Sequence, residues 1–567
     1  MNKTILSMAL LLLCLVSCKK EKLDMKEDKR TVTEQRANSN VRVINLSGFN
    51  QVVANGDSLT NFVVRNPRGT DWYKYPGTSY FPKDGRLTKI WTIPQDIFDV
   101  SEKANLHFAG RYYLGSGLNM DLDIEVKNSY DQPTDYYLMP TPYMKDQPEV
   151  VSVPRAVTTS SKPDHFKIRI VNLTGAIKNP AFGPTGAQEN LVGALSLAYA
   201  DGTLVDSKTS NISVATKASD YVEVPYGTYQ FKVLLQDGRQ IPAKGSELHE
   251  YGLLDPPTST IPESYSRVTN LPYCPIHSYQ PGGVYTILIA PQQFDYIANE
   301  IGETVWMYQN SFQVITDVSP AVNQTYYRVQ GANAFGTQKI GFRVNGKELA
   351  RAVSFGESSA YLNQVHGNAT IEALSEGGEV LAHAEQVFRP NQNYTLWLYP
   401  DENNKPKLLV LANDLSGTLA LPAEDDATFN HTQKRFFGFN RYLNLSIGNP
   451  YITFTTNNGQ SIIPAKTNVQ PGIPILDQPY VSTVMLSKAY EIMSYRSQPN
   501  VVPGIWAKDI PVLQSKDFIA RPDLYLKAGR KLPEQEAGIY TIALIGKSGD
   551  GVPTAEKARM IIVKHNK

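Results

Sequence analysis

Apolar and polar residues alternate in short runs along this chain, with Gly, Asn, Asp and Pro clustered between the runs. The clearest case is Gly341-Phe342-Arg343-Val344-Asn345-Gly346-Lys347-Glu348-Leu349. Asn and Gly both tolerate positive φ, which a type I′ hairpin turn demands at its two central positions. The run therefore predicts two short strands joined by a tight turn. The same layout recurs around Asn55-Gly56, Asp201-Gly202 and Asn458-Gly459. Four such runs predict four β-domains, each with one hairpin near its start.

Longer pieces repeat as well. Val41-Arg42-Val43-Ile44-Asn45-Leu46-Ser47-Gly48 matches Ile168-Arg169-Ile170-Val171-Asn172-Leu173-Thr174-Gly175 at nearly every position. Tyr327-Arg328-Val329-Gln330-Gly331-Ala332-Asn333 and Phe436-Phe437-Gly438-Phe439-Asn440 read as weaker opening copies. Residues 221–233 and 360–372 share a strand, turn, strand layout. Gly283-Val284-Tyr285-Thr286, Asn393-Tyr394-Thr395 and Gly538-Ile539-Tyr540-Thr541 begin a closing strand in units two to four. Long amphipathic helical patterns are scarce, and 39 Gly and 37 Pro are scattered as turn punctuation. The expected fold class is all-β, a tandem series of sandwiches. The expected domains are 41–150, 164–317 with insertions, 325–420 and 435–567. The first shares the opening strand and hairpin, but its aromatic-rich remainder leaves open whether it shares the repeat fold.

Units two and three resemble a family of secreted bacterial repeats, domain of unknown function 4397. The matching residues are Arg169 to Asn172, Asp201-Gly202, Tyr221 to Tyr229 and Gly283 to Thr286, then Arg328-Val329, Asn345-Gly346, Tyr361 to Gly367 and Tyr394-Thr395. The resemblance implies an immunoglobulin-like or transthyretin-like β-sandwich on a lipoprotein, and no chemistry.

The N-terminal residues set the expected address. Lys3 precedes an apolar run, Ile5 to Leu13, that is too short to span a bilayer. Leu15-Val16-Ser17-Cys18 follows and resembles the bacterial lipobox. It makes 1–17 a signal peptide and Cys18 the lipidated residue, which anchors without spanning. Residues 18–40 are charged and poor in large apolar side chains, the composition of a solvated tether. The expected location is the outer membrane, at the cell surface of a Bacteroidota-type cell, with the periplasmic face as the alternative.

Charge narrows the partners. Lys and Arg number 55 against 54 Asp and Glu, so no global basic field suits nucleic acid. With Cys14 in the signal and Cys18 lipidated, Cys274 has no disulfide partner and reads as a small buried group.

Catalytic patterns are weak. Gly56-Asp57-Ser58-Leu59 looks like the nucleophile block of GDSL esterases, but no His has an Asp three residues before it. Asn55-Gly56 as a hairpin turn explains the same residues. Cys274-Pro275-Ile276-His277 offers two ligands in a Pro-flanked loop, too few to make a site, and no zinc, calcium or phosphate-loop motif is present. Asp121, Asp123 and Glu125 alternate on a predicted strand, a carboxylate face suited to Ca²⁺ or glycosides, or simply solvated. Trp72, Tyr73, Tyr75 and Tyr80 crowd one Gly/Pro-containing loop, and exposed rings stack on sugars or proteins. These readings predict a non-enzymatic, membrane-anchored binding lipoprotein. It has no catalytic residues, metal or cofactor, and its partner is a glycan or an envelope protein. A fimbrial or adhesive subunit is the alternative, and an ester hydrolase using Ser58 a second one.

Overall fold

The computed structural model describes residues 36–61, 77–82, 85–110, 120–141, 144, 146–177, 191–241, 276–297, 304–415, 438–456, 458–460, 462–483, 489–527, 532, 535–536 and 538–567. These are almost entirely β, as the alternating pattern requires, and Pro522–Lys527 is the one α-helix among them. They fall into two compact parts, Met1–Met139 with Glu149–Arg155, and Pro140–Pro148 with Ala156–Lys567. The first part holds one sandwich and the second holds three.

All four sandwiches are built the same way, including the first. Each opening strand lies inside a four-stranded sheet. The opening strands are Asn38–Asn45, His165–Asn172, Tyr326–Asn333 and Gly438–Asn444. Each pairs parallel with a late strand: Thr134–Leu138, Val284–Ile297, Asn393–Pro400 or Gly538–Ile545. The late strand pairs antiparallel with the last one: Val150–Pro154, Thr304–Val318, Pro406–Asn413 or Arg559–Lys564. An antiparallel mid-unit strand flanks the other side of each opening strand. A second sheet covers one face of the first, and the apolar residues of each opening strand fill the gap. Val41 and Val43, Ile168 and Ile170, Tyr327 and Val329, and Tyr442 play this part.

The hairpins divide into kinds. Asn55-Gly56 and Asn345-Gly346 have positive φ at both residues and join paired strands, the predicted I′ turn. At Asp201-Gly202 only the Gly is left-handed, and the Asp201 carboxylate instead accepts from the Thr203 amide and hydroxyl. Asn458-Gly459 also turns through positive φ, but it does not close a hairpin. Ile452–Thr456 pairs with Glu491–Gln498, far along the chain, and the residues after the turn lead into a 3₁₀ turn at Pro464–Lys466. The Pro at its start cannot donate to a ladder.

Two opening copies sit in a different register from the sequence match. In unit four the match is Arg441-Tyr442-Leu443-Asn444-Leu445-Ser446, not 436–440, because Arg441 is the residue that pairs with Thr541. In unit three Gln330, not Arg328, pairs with the corresponding Thr395. In both cases the aromatic residues upstream mimic the apolar alternation and draw the alignment toward them.

The third and fourth sandwiches pack through the outer faces of their opening sheets. Ala332, Ala334, Trp397, Tyr399 and Leu411 meet Leu443, Leu445, Ala543, Ile545 and Val563 in a continuous apolar layer. The second sandwich joins them through buried polar contacts. Lys232 Nζ lies 2.8 Å from Glu536 Oε1, and Asn566 Nδ2 donates to Gln230 Oε1 at 2.8 Å.

Candidate functional site

The residues expected to bear ligand chemistry do not gather in one place. Cys18, Trp72, Tyr73, Tyr75 and Cys274 lie outside the described residues. Tyr80 is half-buried against the first core, and the Arg36 guanidinium stacks 4.0 Å from its ring centre. The adjacent Phe81 is buried on Trp91. This end of the aromatic loop is core packing. His277 sits edge-on to Tyr279, 4.7 Å between ring centres.

Ser58 occupies the short return strand Asp57–Ser58 and donates to the Thr60 carbonyl at 2.8 Å. The cross-sheet row from Ser58 passes through Val53 to His107 and Asp123. A full strand therefore separates the hydroxyl from the imidazole, roughly 9–10 Å at the usual strand spacing. That is beyond the reach a nucleophile and its base require. His107 instead lies between Asp123 (2.8 Å) and Asp121 (3.4 Å), and Glu125 pairs with Lys103 (2.7 Å). Asp121, Asp123 and Glu125 form the solvated face of Met120–Lys127, and His107, Asp123 and Glu125 border a shallow hollow of about 440 Å³ with Val53, Asn105 and Ile124. Among the described residues no group of three or more His, Cys, Asp or Glu is placed to hold a metal ion.

The polar residues that do recur stand in a row across each opening sheet. Each row crosses neighbouring strands and on the closing strand takes the residue two places beyond the paired one, which is Val153, Ile315, Leu411 or Val563. The first sandwich has Thr92, Arg42, Asp135 and Arg155, and the second Tyr221, Arg169, Thr286 and Asp317. The third has Tyr361, Gln330, Thr395 and Asn413, and the fourth Tyr480, Arg441, Thr541 and His565. Period-two alternation turns each row away from its own core, yet the central residues are buried.

The chemistry of the rows differs. In the first, Asp135 takes a bidentate pair from Arg42 (2.8 and 2.7 Å) and an ion pair from Arg155 (3.0 Å). In the second, the Arg169 guanidinium donates to Thr286 Oγ1 (3.0 Å), which donates to Asp317 (2.5 Å). Tyr221 also donates to Asp317, at 2.9 Å. Burial, with the Asp317 charge beside it, pushes the Tyr221 phenol far up. The third and fourth rows face each other across the shared layer. Tyr361 donates to His565 Nδ1 (2.8 Å), and His565 Nε2 bonds Thr541 Oγ1 (2.7 Å). Asn413 donates to Tyr361 and to Thr395. Burial, then Arg441 and Arg328, hold the His565 imidazole down to about 3, so it is neutral. The Arg-x-x-Asn and Tyr-Thr motifs carried half of this row in the sequence. The closing-strand member, Arg155, Asp317, Asn413 or His565, changes type every time and leaves no repeated letter.

An exposed aromatic edge lies on the fourth sandwich. Val501–Trp506 is the edge strand of its second sheet, and Ile505 is 79% and Trp506 41% exposed. Lys508 Nζ lies 6.0 Å from the Trp506 ring centre.

No protein-family model matches the chain, and no curated protein does. Among solved structures, the chain is similar to the Bacillus anthracis TIE protein at 11% identity and a TM-score of 0.11, over 70% of this chain and 54% of that one. It thus spans about half the length of that protein. A putative cell adhesion protein from Bacteroides fragilis matches at 10% identity and a TM-score of 0.11, over 44% of this chain and 97% of that one. The SGBP-B protein of a Bacteroides ovatus mixed-linkage glucan utilization locus, in complex with a heptasaccharide, matches at 11% identity and a TM-score of 0.09, over 63% and 64%. At these scores the functional reading rests on the chain's own residues.

Proposed function

We propose that the protein is a lipid-anchored, non-enzymatic surface protein whose tandem sandwiches hold a binding face away from the outer membrane. The observation that carries this is the Ile505–Trp506 edge, which leaves an aliphatic side chain and an aromatic ring side by side in solvent. The lipobox at Leu15–Cys18 and the tether that follows support the anchor. The repeated buried polar rows are bonded within the fold, so recognition falls to the surface. A neutral glycan suits an exposed Trp better than strand addition does, because Pro503 lacks the N–H that an added strand would need at this edge.

Full-length protein in detergent, offered to insoluble polysaccharides and to solubilised outer-membrane proteins, tests the reading. Retention on a glycan, weakened on the order of ten-fold by Trp506→Ala, supports it. Capture of a membrane protein, unchanged in the variant, moves the binding face elsewhere. Incorporation of labelled fatty acid, lost in Cys18→Ala, tests the anchor.

A further inference from the structure

We propose that the long closing hairpin of the second sandwich is a dimerisation arm, whose outer strand pairs antiparallel with the same strand of a second copy of this chain. The four closing hairpins supply an internal comparison. In the second sandwich the late and last strands, Val284–Ile297 and Thr304–Val318, run 14 and 15 residues. The last strands of the other three, Val150–Pro154, Pro406–Asn413 and Arg559–Lys564, run 5, 8 and 6.

The extra length lies outside the sandwich. The opening strand supports the late strand only from Val284 to Ile289, where Asn172 ends the pairing. The two long strands go on pairing with each other as far as Ile297 and Thr304. Asn310 fixes the root of this two-stranded ribbon. Its carboxamide donates to the Gly175 carbonyl (2.8 Å) and accepts from the Gly175 amide (3.1 Å). Six further rungs, from Gln292 with Gln309 to Ile297 with Thr304, carry the ribbon roughly 20 Å beyond that root. Among the described residues no third strand pairs with the ribbon there.

A two-stranded ribbon is marginal in water, and three or more strands are needed for independent stability. The outer edge of this one is also unguarded. Thr304 to Thr316 are 13 consecutive residues without Lys, Arg, His, Asp, Glu or Pro. The other three last strands carry the residues that blunt an edge: Pro154, Pro406 with Lys407, and Arg559 with Lys564. A second copy is the partner that fits. Identical uncharged strands meet about a two-fold axis with no like-charge repulsion, and two ribbons side by side make a four-stranded sheet. Antiparallel pairing over Thr304–Asn310 centres on Met307 and sets Trp306 of one copy opposite Tyr308 of the other, a favourable aromatic cross-strand pair. It also keeps the two sandwiches at opposite ends of the ladder.

The test is sedimentation velocity of the full chain in density-matched detergent, which should show two chains per particle, separating on dilution. Replacing Gln293–Tyr308 by Asn-Gly leaves the Asn310 root in place and should give a monomer. Val305→Lys/Met307→Lys, which puts charge on the edge, should weaken dimerisation on the order of ten-fold or more. In a Cys274→Ser background, Met307→Cys should link two chains by a disulfide on mild oxidation. A chain that is monomeric at every concentration, with no such cross-link, overturns the proposal. So does a dimer that survives shortening of the hairpin, since its interface then lies elsewhere. None of these changes touches the Trp506 edge, so glycan retention by the shortened chain should be unaltered and is read separately.

Discussion

Asn172, Asn333 and Asn444 end equivalent strands and do the same work. Each donates two hydrogen bonds from its carboxamide to carbonyls of crossing loops, and each accepts from the amide two residues on. Asn444→Ala would orphan the Asn449 carbonyl and the Ser446 amide and leave the Val469 carbonyl with the Ile452 amide alone. It should cost about 1–3 kcal/mol, read from urea midpoints. This asparagine was legible in units one and two because Arg-x-x-Asn stands there intact. It was missed in unit four because Phe436, Phe437 and Phe439 carry the same period-two signal four residues early. His565 was not legible at all, since its partners come from another sandwich. Its depressed pKa has a consequence for pH. The unfolded chain takes the proton near its ordinary value of 6.5, the folded one only near 3. Stability present above pH 6.5 should therefore fall by up to ~1.4 kcal/mol per pH unit as pH drops toward 3. Between pH 6.5 and 5 the slope should disappear in His565→Gln.

At the scale of elements, the second sandwich is fastened by a buried charge cluster beside an apolar contact of Ile276 with Phe439, Tyr480 and Ile539. Glu536 accepts from Lys232 (2.8 Å) and from the Tyr525 hydroxyl (2.5 Å), with Lys564 Nζ 3.7 Å away. Burial alone would raise its carboxyl, but Lys232, Lys564 and Tyr525 outweigh it and hold it down to about 2. Glu536→Gln should cost about 3–5 kcal/mol in chemical denaturation, because it strands Lys232 in the interior. Lys232→Met/Glu536→Met should cost less than that single change. A cost for the double variant equal to or above the single one would show that the charges themselves, not their imbalance, hold the junction. Strand positions followed from alternation, but a pair 304 residues apart has no signature in local pattern.

For the molecule as a whole, the apolar layer between the third and fourth sandwiches predicts shared unfolding. Trp397 is fully buried there, not in its own core. Calorimetry should show these two sandwiches melting in one transition. Trp397→Ala, which opens a cavity worth about 3–5 kcal/mol, should lower that transition and separate its components. The fold class was legible because a sandwich advertises its strands residue by residue. The joining of sandwiches was not, because outward positions such as Trp397 and Leu443 satisfy the same alternation as any inner face.

The parallel pairing of opening and late strands has one more consequence. In every sandwich the start of the opening strand and the end of the last strand lie at the same end of the sheet, two strands apart. Asn393, for instance, pairs with both Arg328 and Asn413. At ordinary spacing the chain thus leaves within roughly 10 Å of where it came in. Each sandwich is a cassette on a nearly closed loop, so a copy can be gained or lost by recombination without rerouting its neighbours. Among these four, the third and fourth have given up that freedom by sealing their faces together, and lengthening of the array by duplication is least costly ahead of them.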